Sequence, residues 1–77
     1  MIALFVNYKS LSDGQLMERV RRKDDEHAFA EIYRRYARLL QGFFFRRLGG
    51  DVEQSSDHMQ DTFLKVWSSR WNYSDGQ

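Results

Sequence analysis

The side chains with the widest chemical range in this sequence are His27, His58 and eleven carboxylates. A di-iron helical site needs paired Glu-x-x-His motifs. Asp24 stands three positions before His27 and Ser55 three before His58, so only one isolated Asp-x-x-His exists. There is no Cys, and the two His are too far apart along the chain for a zinc spacing. Gly49-Gly50 lacks the Lys and Ser or Thr of a phosphate loop, and no Ser or Thr has an evident His and carboxylate arrangement. The expectation is a chain that is not an enzyme, with no catalytic residue, no metal ligands and no cofactor. What remains is non-covalent recognition.

One cluster suits that role. On a helix through Asp51 to Arg70, the residues Asp57, Gln60, Asp61 and Leu64 fall within about 80° to 180° of Val52, away from the stripe formed by Val52, Met59, Phe63, Val66 and Trp67. The stripe is expected to pack inward and the four others to form one patch. A large apolar residue rimmed by two carboxylates and an amide is what a helix offers to a protein partner. The alternative is that Leu64 packs on the terminal segments and the acids are merely solvated.

Three helices are expected to position this patch. Ser12-Asp13-Gly14-Gln15 has capping-box form with Leu11 and Leu16 at the staple positions, which starts a helix that ends near Lys23. Asp24 is expected to cap the second helix, with Asp25 and Glu26 in its first turn. Phe29, Ile32, Tyr33, Tyr36, Leu39, Leu40 and Phe43 then recur at helical spacing as a core stripe. Arg34, Arg35 and Arg38 project from the other side, and Gly49-Gly50 stops the helix after Arg46-Arg47. These arginines read as a solvated face, Phe45 as exposed or covering another segment, and Trp67 with Trp71 as a terminal packing pair. Asp51 caps the third helix.

The bulk properties agree with an all-α class. Pro is absent and aromatics make up 16%, and the helical spacing implies a small three-helix antiparallel arrangement. Residues 1–10 read as an N-terminal extension, 11–71 as the helical domain and 72–77 as a tail rich in turn formers. A net charge of +1 gives no general attraction to DNA or anionic lipid. No membrane span and no signal peptide are expected, and the lack of Cys fits a reducing cytoplasm.

The segment Asp57-His58-Met59-Gln60-Asp61-Thr62-Phe63-Leu64-Lys65-Val66-Trp67 resembles the D-L-V-Q-E-T-F-L-R-V-W stretch of bacterial extracytoplasmic-function sigma factors. Upstream, Leu11-Ser12-Asp13, Met17-Glu18-Arg19-Val20 and Ala28 through Tyr36 look like the helices that open region 2 of that family, so the resemblance covers about Leu11 to Trp71. It implies that Asp57, Gln60, Asp61 and Leu64 bind core RNA polymerase, on the clamp coiled coil of its β′ subunit. It further implies a role in promoter recognition and transcription initiation, and an anti-sigma factor as a further partner. His58 stands where the family has an apolar residue, on the side away from the patch, and Ser55 and Ser56 stand where Ala and an acid are common. Family members continue with a helix that reads the promoter −10 element and a domain for the −35 element. Neither follows Gln77, so the chain resembles an N-terminal fragment, and the resemblance assigns contact with promoter DNA to no residue present. The competing function is a helical interaction module unrelated to transcription.

Overall fold

The computed structural model describes residues 6–73. They form three helices, α1 (Asp13–Lys23), α2 (Glu26–Arg47) and α3 (Val52–Ser68), with single 3-10 turns at Tyr8–Ser10 and Arg70–Asn72. Among the described residues there is no strand, so the fold is all-α as the periodicity predicts. No helix among them is long and apolar enough to cross a membrane.

Helix α1 begins with both halves of the capping box in place. The Ser12 hydroxyl accepts from the Gln15 backbone N–H at 3.1 Å, and the Gln15 side chain accepts from the Ser12 N–H at 2.8 Å. Leu16 and Val20 are completely buried from this helix. The connection to α2 corrects one expectation, because Asp25 and not Asp24 caps the second helix. Asp24 is instead the residue that closes α1, in the left-handed region at φ 51° with its N–H on the Val20 carbonyl. An N-cap needs extended backbone. Asp25 has it, with φ −74° and ψ 98°, and its carboxylate accepts from the Ala28 N–H at 3.0 Å.

Helix α2 is twice the length of α1, with 22 residues against 11. At 1.5 Å per residue that is about 33 Å against about 16 Å. Asp13, the first residue of α1, meets Arg35 and Tyr36, so α1 shields α2 only to that level. Ala28 and Ile32 are accordingly buried, while Phe29, Tyr36 and Leu40 are partly buried against the core. Three members of the expected stripe are exposed instead: Tyr33, Leu39 and Phe43. Leu39 and Phe43 lie beyond the reach of α1, where no third helix covers them, and Tyr33 lies beside α3. The helix stops as predicted. Gly49 and Gly50 have φ of 68° and 84°, and the Gly50 N–H reaches back to the Phe45 carbonyl at 2.8 Å, a closure that places Phe45 beside Gly50.

Asp51 caps α3 through the Gln54 N–H at 2.9 Å. Met59 and Phe63 are buried and Val66 and Trp67 half-buried, but Val52 is 60% exposed. Val52 has the right azimuth and the wrong height, since it sits at the hairpin tip past the core. The helix ends at Ser68, short of the expected Arg70. There the Ser69 hydroxyl donates to the Lys65 carbonyl at 2.7 Å, an alternative to helix continuation. Trp67 and Trp71 are not packed directly on each other. The Arg70 guanidinium lies between them, 4.1 Å from one ring centroid and 3.9 Å from the other, and also bonds Asp24 at 2.8 Å.

The core joins Leu16 and Val20 of α1, Ala28 and Ile32 of α2, and Met59 and Phe63 of α3. Phe29 meets Phe63 edge-on at 6.1 Å and Trp67 at 5.2 Å, which locks the angle of α3 on α2. The N-terminal 3-10 turn, which has no apolar periodicity, is held by polar contacts. Arg35 donates to the carbonyls of Leu11, Lys9 and Tyr8 at 2.7, 3.2 and 3.3 Å while also binding Glu31 and Asp13. Glu31 is itself buried, and hydrogen bonds from Arg34 and then Arg35 hold its carboxyl down to about 2 from an ordinary 4.5.

Candidate protein-docking surface on the third helix

Because Met59, Phe63 and Trp67 turn toward α2, the residues on the far side of the wheel turn outward. Asp57, Gln60, Asp61 and Leu64 are all exposed, and Leu64 keeps 64% of its surface. The structure therefore brings the four predicted residues together on one open face. Among the described residues, Leu64 does not rest on the terminal turns. With Gln60 it borders an open groove whose other walls are Phe29, Tyr33 and Phe63, and the groove continues along Ala30 and Trp67.

Both walls are largely apolar. The α2 wall is aromatic, with Tyr33 tilted against the Phe63 ring at 4.7 Å between centroids and still partly open to solvent. The α3 wall is formed by Phe63, Leu64 and Trp67 with the Gln60 amide, and the carboxylates of Asp57 and Asp61 stand outside it. Sequence periodicity put Phe29 and Tyr33 in the core stripe and thus missed them as groove residues. No signal in the α2 wheel alone marks them, because they meet Leu64 only through the packing of α3 on α2.

The charges on this face are lightly held. Asp61 pairs with Lys65 at 3.1 Å, but both side chains are mostly in water, and such a helix pair contributes roughly 0.3 to 0.5 kcal/mol. Asp57 has no ion-pair partner among the described residues. A cation from another molecule could therefore displace Lys65 at small cost. Glu26 adds a third carboxylate at the far end of the groove.

His58, Ser55 and Ser56, which adjoin the patch on α3, are accommodated locally. His58 is exposed, with its ring 5.4 Å from that of Phe44 and off the patch. Ser55 is fully buried, and its hydroxyl is satisfied by donating to the Asp51 carbonyl. Ser56 is half-buried.

The arginine row divides into two sets. Arg34 and Arg35 are tied to Glu31 at 2.6 and 2.8 Å, and Arg35 also to Asp13. Arg38, Arg46 and Arg47 are exposed and meet no carboxylate among the described residues. Nor do the described His, Asp and Glu form any group of three or more able to hold a metal ion. What the surface can do is present a desolvatable leucine, an amide and two carboxylates on a rigid helix. Comparison of the chain with protein-family models, with curated proteins and with solved structures gave no match in any of them.

Proposed function

We propose that this chain is a sigma-factor region 2 docking domain, which binds the clamp coiled coil of the RNA polymerase β′ subunit through Asp57, Gln60, Asp61 and Leu64. The observation that carries this reading is Leu64, exposed at the centre of an acid- and amide-rimmed face and opening onto the aromatic groove of α2. A partner helix bearing basic side chains would pair with Asp57 and Asp61 and set an apolar residue beside Leu64 and Tyr33. Gln60, able to donate and accept, would fix the register. On this reading the domain works in the bacterial cytoplasm, and in a longer protein it holds promoter-reading segments on the polymerase for transcription initiation.

The test is direct binding to an immobilised β′ clamp coiled coil by biolayer interferometry. Gln60→Ala, Asp61→Ala and Leu64→Ala should each weaken binding at least about tenfold, the range of central interface residues. Their helical circular dichroism should stay unchanged. An unmutated chain that fails to bind at micromolar concentration would overturn the proposal.

A further inference from the structure

The two exposed leucines of the hairpin stand in fields of opposite sign. Leu39, 68% exposed, shares one side of α2 with Phe43, Arg46 and Arg47 at spacings of four, seven and eight residues. The Arg47 guanidinium stacks 4.7 Å from the Phe43 ring. Leu64, 64% exposed, stands among Asp57, Gln60 and Asp61. From Ala37 to Leu48 there is no acid, and from Gly49 to Phe63 no Lys or Arg.

Adjacent antiparallel helices so charged could neutralise each other, yet among the described residues no ion pair joins the second half of α2 to α3. The charges face apart. Each cluster therefore keeps an apolar centre and charge that, among the described residues, is spent on the other cluster in neither case and on its own helix only in the exposed Asp61–Lys65 pair.

We propose that the occupant of each face is the opposite face of a second copy of this chain. Leu39 and Phe43 with Arg46 and Arg47 of one molecule would meet Leu64 with Asp57 and Asp61 of the next. Charge complementarity selects this pairing over like faces, since basic on basic or acid on acid would bury uncompensated repulsion. It also argues against nucleic acid on the basic face. Bases stack on aromatic rings, whereas the exposed ring of this face, Phe43, is already covered by the Arg47 guanidinium and the most exposed apolar residue is aliphatic Leu39. Both patches are small, so the association is weak and concentration-dependent. Self-association does not depend on which protein docks on α3. If the docking reading also holds, association would cover Leu64 and close the docking face at high concentration.

Sedimentation velocity of the whole chain reads this directly, and it needs no polymerase, so its failure is distinct from failure of the docking proposal. The sedimentation coefficient should rise with concentration up to about 1 mM at about 50 mM salt, and the rise should vanish at about 500 mM, where the Debye length falls to a few ångströms. Arg46→Glu with Arg47→Glu, and separately Asp57→Lys with Asp61→Lys, should each weaken association at least about tenfold, as close interfacial charge pairs do. All four side chains are exposed, so circular dichroism should report folded chains. Mixing the two variants should restore association, because each reversed face then meets an opposite charge. A monomer at every concentration would overturn the proposal, as would a mixture no more associated than its parts. A monomer that instead captures single-stranded oligonucleotide through Arg46 and Arg47 would also overturn it and assign the basic face to nucleic acid.

Discussion

The two halves of the α2 and α3 hairpin are built from similar residues and have opposite fates. Near the α1 end, Ile32, Met59 and Phe63 are buried, whereas toward the tip Leu39, Phe43 and Val52 are exposed. The difference is not hydrophobicity but coverage, since α1 spans only half of α2. An apolar stripe thus stabilises the fold only where a third element lies over it. The rest of it is surface, available for recognition.

Leucine truncation breaks this contrast most sharply if it is wrong. Leu16→Ala, at a completely buried site, should cost about 3 kcal/mol, within the range for cavity-forming core changes. Leu39→Ala should cost less than about 0.5 kcal/mol, as exposed substitutions do. Urea unfolding of both variants checks the pair. Equal losses would mean that the tip is packed in solution.

Acid should act on the base of the molecule, because the tightly held carboxylate is there. Glu31 is lowered to about 2 by Arg34 and Arg35, and a carboxylate with a depressed folded value contributes stability above its unfolded value that is lost as pH falls through the folded one. The melting temperature should therefore fall between pH of about 4.5 and about 2, and more shallowly in Glu31→Gln. Asp13, lowered by its hydrogen bonds from Tyr36 and then Arg35, acts in the same direction. Arg35→Ala should lower the melting temperature at pH 7 and release the N-terminal turn, which loses three carbonyl contacts. Hydrogen exchange at residues 8–11 would show that release. Parallel acid profiles for wild type and Glu31→Gln would show that Glu31 is not the group responsible.

How much of this the sequence displayed depends on whether the cause was local. The α1 capping box, the Asp51 cap and the Gly49-Gly50 stop involve residues within six positions of one another, and all were legible. The exposed face of Asp57, Gln60, Asp61 and Leu64 was legible too, since one helical wheel separates it from Met59 and Phe63. The exposure of Val52, Leu39 and Phe43 was not, because a wheel gives azimuth and says nothing of where a neighbouring helix ends. Likewise Phe29 and Tyr33 join Leu64 only through the angle between α2 and α3. The choice between Asp24 and Asp25 as cap turned on a left-handed residue in a two-residue connection, and either sequence position satisfies the cap preference.

That choice gives a prediction of intermediate size. Asp25→Ala removes the Ala28 cap together with contacts to Tyr8 and Arg19, and should cost at least about 1 kcal/mol on the scale of N-cap losses. Asp24→Asn keeps a side chain that tolerates the left-handed backbone. It weakens only the exposed side of the Arg70 contact, so it should cost less than Asp25→Ala.

The smallest effect separates stability from recognition. Leu64→Ala and Val52→Ala both remove apolar atoms that are mostly in water, so each should change unfolding free energy by less than about 0.5 kcal/mol. Their consequences for binding differ, because Leu64 is ringed by Asp57, Gln60 and Asp61, whereas Val52 stands at the tip outside that ring. On the docking reading, Leu64→Ala loses affinity for the clamp coiled coil and Val52→Ala keeps it. Two variants of matched stability and unmatched affinity would show that the outer face of α3 is retained for a partner. A Leu64→Ala chain that unfolds as readily as Leu16→Ala would instead return that leucine to the core.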